Sequence, residues 1–195
     1  MMRQAARVRR RPAAGFTLIE ILVVITIIGI IVGFAIPRLS TSGFKADAAA
    51  RLVRMQMQLA QRSAITRQSN QVVDFDLTNN KIIVIQDDNS NNVLDAGERQ
   101  QGRALEEGTK FVTPNWPGPN GVTPAAPISG TSLNTFNGLQ GVIFRRDGSA
   151  SSDLMVYVTN RDAVKTEYRA IQLTQTTGKT DMFKWNGSTW IRMNQ

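Results

Sequence analysis

Apolar residues fall into three regimes along the chain. From Phe16 through Ile36 nearly every position is apolar, broken only by Thr17, Glu20, Thr26 and two glycines. As a helix this run spans about 30 Å, the thickness of a bilayer core. From Phe44 to Gln68 the apolar positions recur every three or four residues. Ala48, Leu52, Met55 and Leu59 make one stripe, which Ala49, Val53, Ala60 and Ala64 widen. Arg51, Arg54, Gln58, Gln61 and Arg62 fall on the other side, so the spacing predicts an amphipathic helix packed on a sheet. Pro37 and Gly43 stand between the two segments. After Asn70 the period drops to two, the spacing of strands.

Val73, Phe75 and Leu77 alternate with Asp74 and Asp76, and Lys81–Gln86 follows a Thr78-Asn79-Asn80 turn, which predicts an early hairpin. A weaker pair is expected around Glu106-Glu107-Gly108, with Lys110–Thr113 as its second strand. Residues 114–138 hold five prolines and four glycines and read as a long loop. Strands are then predicted at Gly141–Arg145, Leu154–Val158, Tyr168–Leu173, Asp181–Trp185 and Thr189–Met193, the last two joined by Asn186-Gly187-Ser188. The expected fold class is α+β, a long N-terminal helix followed by an antiparallel β-sheet.

Charge and composition narrow the chemistry. The net charge is +8, but Arg3, Arg7, Arg9, Arg10 and Arg11 supply five of it, leaving 18 basic against 15 acidic residues. Cys and His are both absent, which removes disulfides, thiol nucleophiles, Ser-His triads and the commonest transition-metal ligands. A nonenzymatic protein is therefore expected. The basic N-terminus ahead of an apolar run sends the rest of the chain across a membrane.

Three readings of that segment compete. A secretory signal peptide finds a small-x-small pattern at Gly33-Phe34-Ala35, but its apolar run is usually only about 7–15 residues. A plain one-pass anchor fits the length. Neither accounts for Glu20, a carboxylate that costs about 2.5–3.5 kcal/mol inside a membrane and needs a partner there. The stretch Gly15-Phe16-Thr17-Leu18-Ile19-Glu20-Ile21-Leu22-Val23-Val24 resembles the signal of type IV pilins and type II secretion pseudopilins. That resemblance implies cutting between Gly15 and Phe16 by a prepilin peptidase, N-methylation of Phe16, and pairing of Glu20 with the N-terminal amine of a neighbouring subunit. It also makes Pro37 the helix-kinking proline of this family. The implied organisation is a leader at 1–15, an assembly helix at 16–36, an amphipathic helix at 37–68 and a β-rich periplasmic domain at 69–195.

The later motifs resemble the GspH/FimT branch of minor pseudopilins and minor pilins. They are Gly141-Val142-Ile143-Phe144, Asp147-Gly148, Arg169-Ala170-Ile171 and Thr177-Gly178-Lys179. The branch implies an inner-membrane subunit assembled with other pilin-like subunits into a pseudopilus that serves protein secretion, with secreted proteins as further partners. A type IV pilus minor pilin, with DNA capture as its added role, is the alternative.

Four local patterns remain. Asp87, Asn89, Asn91, Asp95 and Glu98 fall at positions 1, 3, 5, 9 and 12 of a calcium-type loop, with Asn92 where that loop needs a left-handed residue. The flanks are not EF-hand helices, so a solvated hairpin loop is the favoured reading and no cofactor is expected. Gly178-Lys179-Thr180 resembles the end of a P-loop, but Leu173 stands where its first glycine belongs. Lys179 and Lys184 are the candidate DNA contacts, with Tyr168, Phe183, Trp185 and Trp190 as stacking groups if exposed. Asp181 stands where DNA-binding relatives carry a second basic residue, so DNA is not the favoured partner. Asp74 and Asp76, at i and i+2, read as a solvent-facing pair.

Overall fold

A computed structural model describes residues 15–35, 42–92, 95–130, 134–136 and 139–193. The chain divides into two compact units, residues 1–40 and 41–195. The first carries helix α1 (Leu18–Ala35). Thr17 caps it, its Oγ1 accepting the Glu20 N–H at 3.2 Å, and the Thr17-x-x-Glu20 spacing is that of a capping box. The described side chains of α1 are exposed, Leu18 by 84% and Ile31 by 61%, so no described residue of the unit covers them. Among the described residues no helix is long and apolar enough to cross a membrane. Pro37 lies outside the described residues.

The second unit is α+β. Helix α2 (Ser42–Arg67) comes first. The strands follow in order: β1 (Asn70–Asp76), β2 (Lys81–Asp87), β3 (Gln100–Ala104), β4 (Thr109–Phe111), β5 (Ile128–Gly130), β6 (Asn134–Phe136), β7 (Leu139–Phe144), β8 (Leu154–Asn160), β9 (Arg169–Leu173), β10 (Thr180–Trp185) and β11 (Trp190–Arg192). One sheet runs β3-β2-β1-β7-β6 and the other β11-β10-β9-β8-β4, with β5 also on β8. Every pairing is antiparallel.

The α2 face that packs is the one lined by small residues. Ala46, Ala49, Ala50, Val53, Met57, Ala60 and Ala64 are fully buried, and all but Ala46 share one core cluster with Val73, Phe75, Ile82, Phe144, Val156 and Ile171 from both sheets. The stripe expected to face the core behaves differently: Leu52 is half-buried, while Ala48, Met55 and Leu59 are exposed. Alanines let the helix approach two sheets at once, which a leucine stripe would hold apart. Each large side chain buried here contributes about 1.5–3 kcal/mol relative to exposure.

Two polar fasteners fix α2 on the sheets. Arg169 of β9, only 1% exposed, pairs with Asp47 and donates to the carbonyls of Gly43, Thr166 and Tyr168. Nearer the other end, Gln61 Nε2 donates to the carbonyls of Gly148 and Thr177, at 2.8 and 2.9 Å. Gly178, next in the chain, has φ +62°, and a Cβ there would lie 2.3 Å from both Gln61 Nε2 and the Gly148 carbonyl oxygen.

Two expectations change. The pair around residues 106–108 does not form, because β3 joins β2 while β4 crosses to β8 in the other sheet. The 114–138 segment carries β5 and β6, Ile-Ser-Gly and Asn-Thr-Phe, three-residue strands too short to show an apolar alternation. Gly178→Ala is expected to destabilise the unit by roughly 2–3 kcal/mol, from left-handed backbone strain plus displacement of Gln61. Chemical denaturation checks this, and a loss below about 0.5 kcal/mol would show that the turn docks loosely.

Candidate functional site

The N-terminal residues singled out by sequence lie together. Gly15 and Phe16 precede α1, and Glu20 is exposed in its first turn. There a negative charge meets the positive end of the helix dipole, a local stabilisation of about 0.3–1 kcal/mol. The Glu20 carboxylate lies exposed on the surface of an apolar helix, and among the described residues it has no ion-pair partner.

The 87–98 loop gathers its acidic and amide side chains, and they serve the loop itself. Buried Asp87 accepts the N–H groups of Asn91 and Asn92, at 3.1 and 2.8 Å. Asp95 accepts the side-chain amides of Asn89 and Asn91. Glu98 accepts the N–H groups of Asp88 and Asp95. Asn92 takes φ +61°, the left-handed conformation its position in the pattern calls for. Val93 and Leu94 lie outside the described residues. Among the described residues no three His, Cys, Asp or Glu side chains are grouped to hold a metal.

Lys179 lies 3.6 Å from Asp181, whose other oxygen takes Arg192. Lys184 is exposed on β10. Gly178-Lys179-Thr180 joins β9 to β10 and precedes no helix, so it has no phosphate-binding geometry. Of the four aromatic groups, Trp185 and Tyr168 are each 8% exposed, while Phe183 and Trp190 are half-buried. Trp116, from the proline-rich segment, stacks on Trp185 with ring centroids 5.2 Å apart. Sequence reasoning missed that partner because it lies in a segment without strand or helix periodicity.

Asp74 and Asp76 part company. Asp76 closes the β1–β2 turn, accepting the side chain of Asn79 and the N–H groups of Asn79 and Thr78, and these bonds hold its carboxyl below the usual range. Asp74 does not face solvent. It is fully buried, and among the described residues neither oxygen has a hydrogen-bond partner. Its β7 neighbour is Gly141, where a Cβ would sit 2.6 Å from the carboxylate. The glycine opening the Gly141–Phe144 motif therefore makes room for Asp74. Burial pushes its carboxyl up to about 7.

The comparisons with known proteins follow this division. Residues 10–36 match the family model described as the prokaryotic N-terminal methylation motif. No curated protein matches the chain. Two solved structures are similar, both of the minor pseudopilin EpsH from the type 2 secretion system of Vibrio cholerae. One has 11% identity and a TM-score of 0.48, covering 72% of this chain and 97% of that one. The other has 12% identity and a TM-score of 0.47, covering 71% and 92%.

Asp74 generates a pH prediction. A carboxyl whose pKa is higher in the folded than in the unfolded state favours folding while protonated. Stability should therefore be greatest near pH 4 and fall as pH rises through about 7. Asp74→Asn is expected to remove that slope and to stabilise the unit at pH 8 by up to about 4 kcal/mol. Denaturant midpoints at pH 4.5 and 8 test it, and parallel pH profiles for the two proteins would contradict it. The N-terminal segment of this chain therefore carries a prokaryotic N-terminal methylation motif over residues 10–36, which includes a capped apolar helix.

Proposed function

We propose that this chain is a minor pseudopilin of the GspH kind. It would be a structural subunit rather than an enzyme, anchored in the inner membrane through Phe16–Ile36 and assembled with other pilin-like subunits. The methylation motif at residues 10–36 carries the reading, because it includes an apolar helix whose described side chains are exposed. Apolar area on that scale is stable only in lipid or against other helices. The absence of His and Cys from the whole chain agrees with a structural role. The β unit faces the periplasm in this reading and supplies contacts to neighbouring subunits or secreted proteins. Type II secretion is preferred over the type IV pilus role with DNA capture, because Asp181 sits between Lys179 and Arg192 and offsets their charge.

Processing comes first in this scheme and assembly second. The leader is removed after Gly15 by a prepilin peptidase, and the new amine of Phe16 is methylated. Glu20 then pairs with the amine of a neighbour, each charge compensating the other in an apolar bundle. Gly15→Val should leave the precursor uncut, because a branched side chain stands at the scissile bond. Glu20→Ala should be cut normally yet be missing from sheared filaments. Immunoblots of membranes and of filaments distinguish the two. Normal cutting of the Gly15 variant, or wild-type incorporation of the Glu20 variant, would contradict the assigned roles.

A further inference from the structure

Among the described residues β3 is the longest strand at a sheet edge, five residues against three in β4, β5, β6 and β11. All five of its residues are exposed. Its register with β2 runs unbroken, from Lys81 opposite Ala104 to Ile85 opposite Gln100, so no bulge turns the edge away, and the strand contains no proline. The Gln86 N–H donates to the Arg99 carbonyl and the Leu105 N–H to the Asn80 carbonyl, which turns the backbone groups of residues 99, 101, 103 and 105 toward β2. The N–H and C=O groups of Gln100, Gly102 and Ala104 therefore point away from the sheet, and among the described residues they have no partner.

Helix α2 leaves a strip uncovered beside this edge. The trough between α2 and β3 has two parts. One, of about 440 Å³, is floored by Leu52, Met55 and Leu105, with Arg51, Glu106 and Glu107 around it. The other, of about 300 Å³, lies between Leu59 and Arg67 on the helix and Arg99 and Gln101 on the strand, and no described carboxylate lines it. Met55 is 54% exposed and Leu59 45%. By alternation Arg99, Gln101 and Arg103 share the α2 side of β3. The sheet thus ends in polar side chains where the helix still shows apolar ones.

Edge and charge together define the occupant. An open ladder of N–H and C=O groups recognises an extended backbone. Arg67 donates to the Gln86 side chain, which holds its guanidinium at the trough. Among the described residues Arg67, Arg99 and Arg103 have no ion-pair partner, so an acidic segment is favoured. A second copy fits poorly: two β3 strands paired antiparallel about Gly102 would set each Arg103 diagonal to the other copy's Arg99 and Arg103, and like charges there are destabilising. We propose that β3 is a docking edge for an extended acidic segment of another protein, which joins the first sheet as a sixth strand. Its backbone pairs with Gln100, Gly102 and Ala104, its alternate apolar side chains enter the trough beside Met55 and Leu59, and a carboxylate meets Arg67 and Arg99.

The test is hydrogen exchange of residues 99–105 in the full chain, in mild detergent, read by mass spectrometry. The probe is a synthetic peptide, Glu-Thr-Val-Thr-Val-Thr, blocked at both ends. Saturable slowing of exchange is expected, about threefold at twice the dissociation constant. Two forms of the peptide, N-methylated at alternate residues, each lose one hydrogen-bonding edge. One should keep the protection and the other abolish it, because only one edge faces β3. Gly102→Pro removes an outward N–H where an edge strand tolerates proline, and should abolish protection with the far-ultraviolet dichroism unchanged. Gly102→Ala, whose Cβ would lie 3.9 Å from Ile83, should keep it. Arg67→Glu with Arg99→Glu should weaken binding about tenfold. No protection at millimolar peptide, equal protection by both N-methylated forms, or protection that grows with protein concentration in the absence of peptide, which would put a second copy on the edge, would overturn the proposal. The readout is independent of N-terminal processing, so its failure leaves the filament reading intact.

Discussion

The β unit is built around one close approach. Two antiparallel sheets reach the same face of α2, and they do so because that face is lined mainly by alanine, with Ala46, Ala49, Ala50, Ala60 and Ala64 fully buried. Packing of that kind is felt at the level of single methylenes. Of the larger apolar residues of the helix, Val53 and Met57 share this buried face, while Met55 and Leu59 turn outward. Arg169 at the start of α2 and Gln61 towards its end then fix the helix along its axis. The short late motifs take their meaning from this arrangement. Arg169 is the buried clasp on Asp47, while Gly148 and Gly178 belong to the two turns that accept Gln61.

Much of the β unit was legible because its strands carry strong local signals. The Asp76–Asn80 turn and the Asn186-Gly187-Ser188 turn closed hairpins as their residues predict, with Asp76 and Asn186 accepting the turn N–H groups. What could not be read depends on tertiary partners. Periodicity showed an apolar stripe on α2 with Ala49, Val53, Ala60 and Ala64 at its margin, whereas the two sheets bury that margin together with Met57 and leave Ala48, Met55 and Leu59 exposed. The sheet membership of β3 and β4 is set by their partners, β2 and β8, and not by their own residues. Asp74 alternates with Val73 and Phe75 as a solvent-facing residue should, and only the sheet around it reveals that it is buried.

The site residues divide the same way. Glu20 was conspicuous because a charge in an apolar run has an obvious cost. Its place as the third helical residue of a Thr17 cap adds a local role to the one proposed in assembly. The acidic loop shows the reverse. Its spacing matched a cation loop while its flanks favoured a solvated hairpin loop, and its carboxylates accept the loop's own N–H and amide groups. The tryptophans were noted as stacking groups, but their partner Trp116 sits among prolines, where no periodicity marks it.

Two units with different chemistry follow from one chain: an apolar capped helix whose described side chains have no cover of their own, and a β unit whose core is complete. The proposed filament role rests on the first being processed and inserted. Its most direct test is the intact mass of the chain purified from its host's membranes, with the N-terminal peptide sequenced. The expected protein begins at Phe16 and carries one methyl group on its amine. A chain that retains Arg3 through Gly15, with an unmodified Phe16, would contradict it.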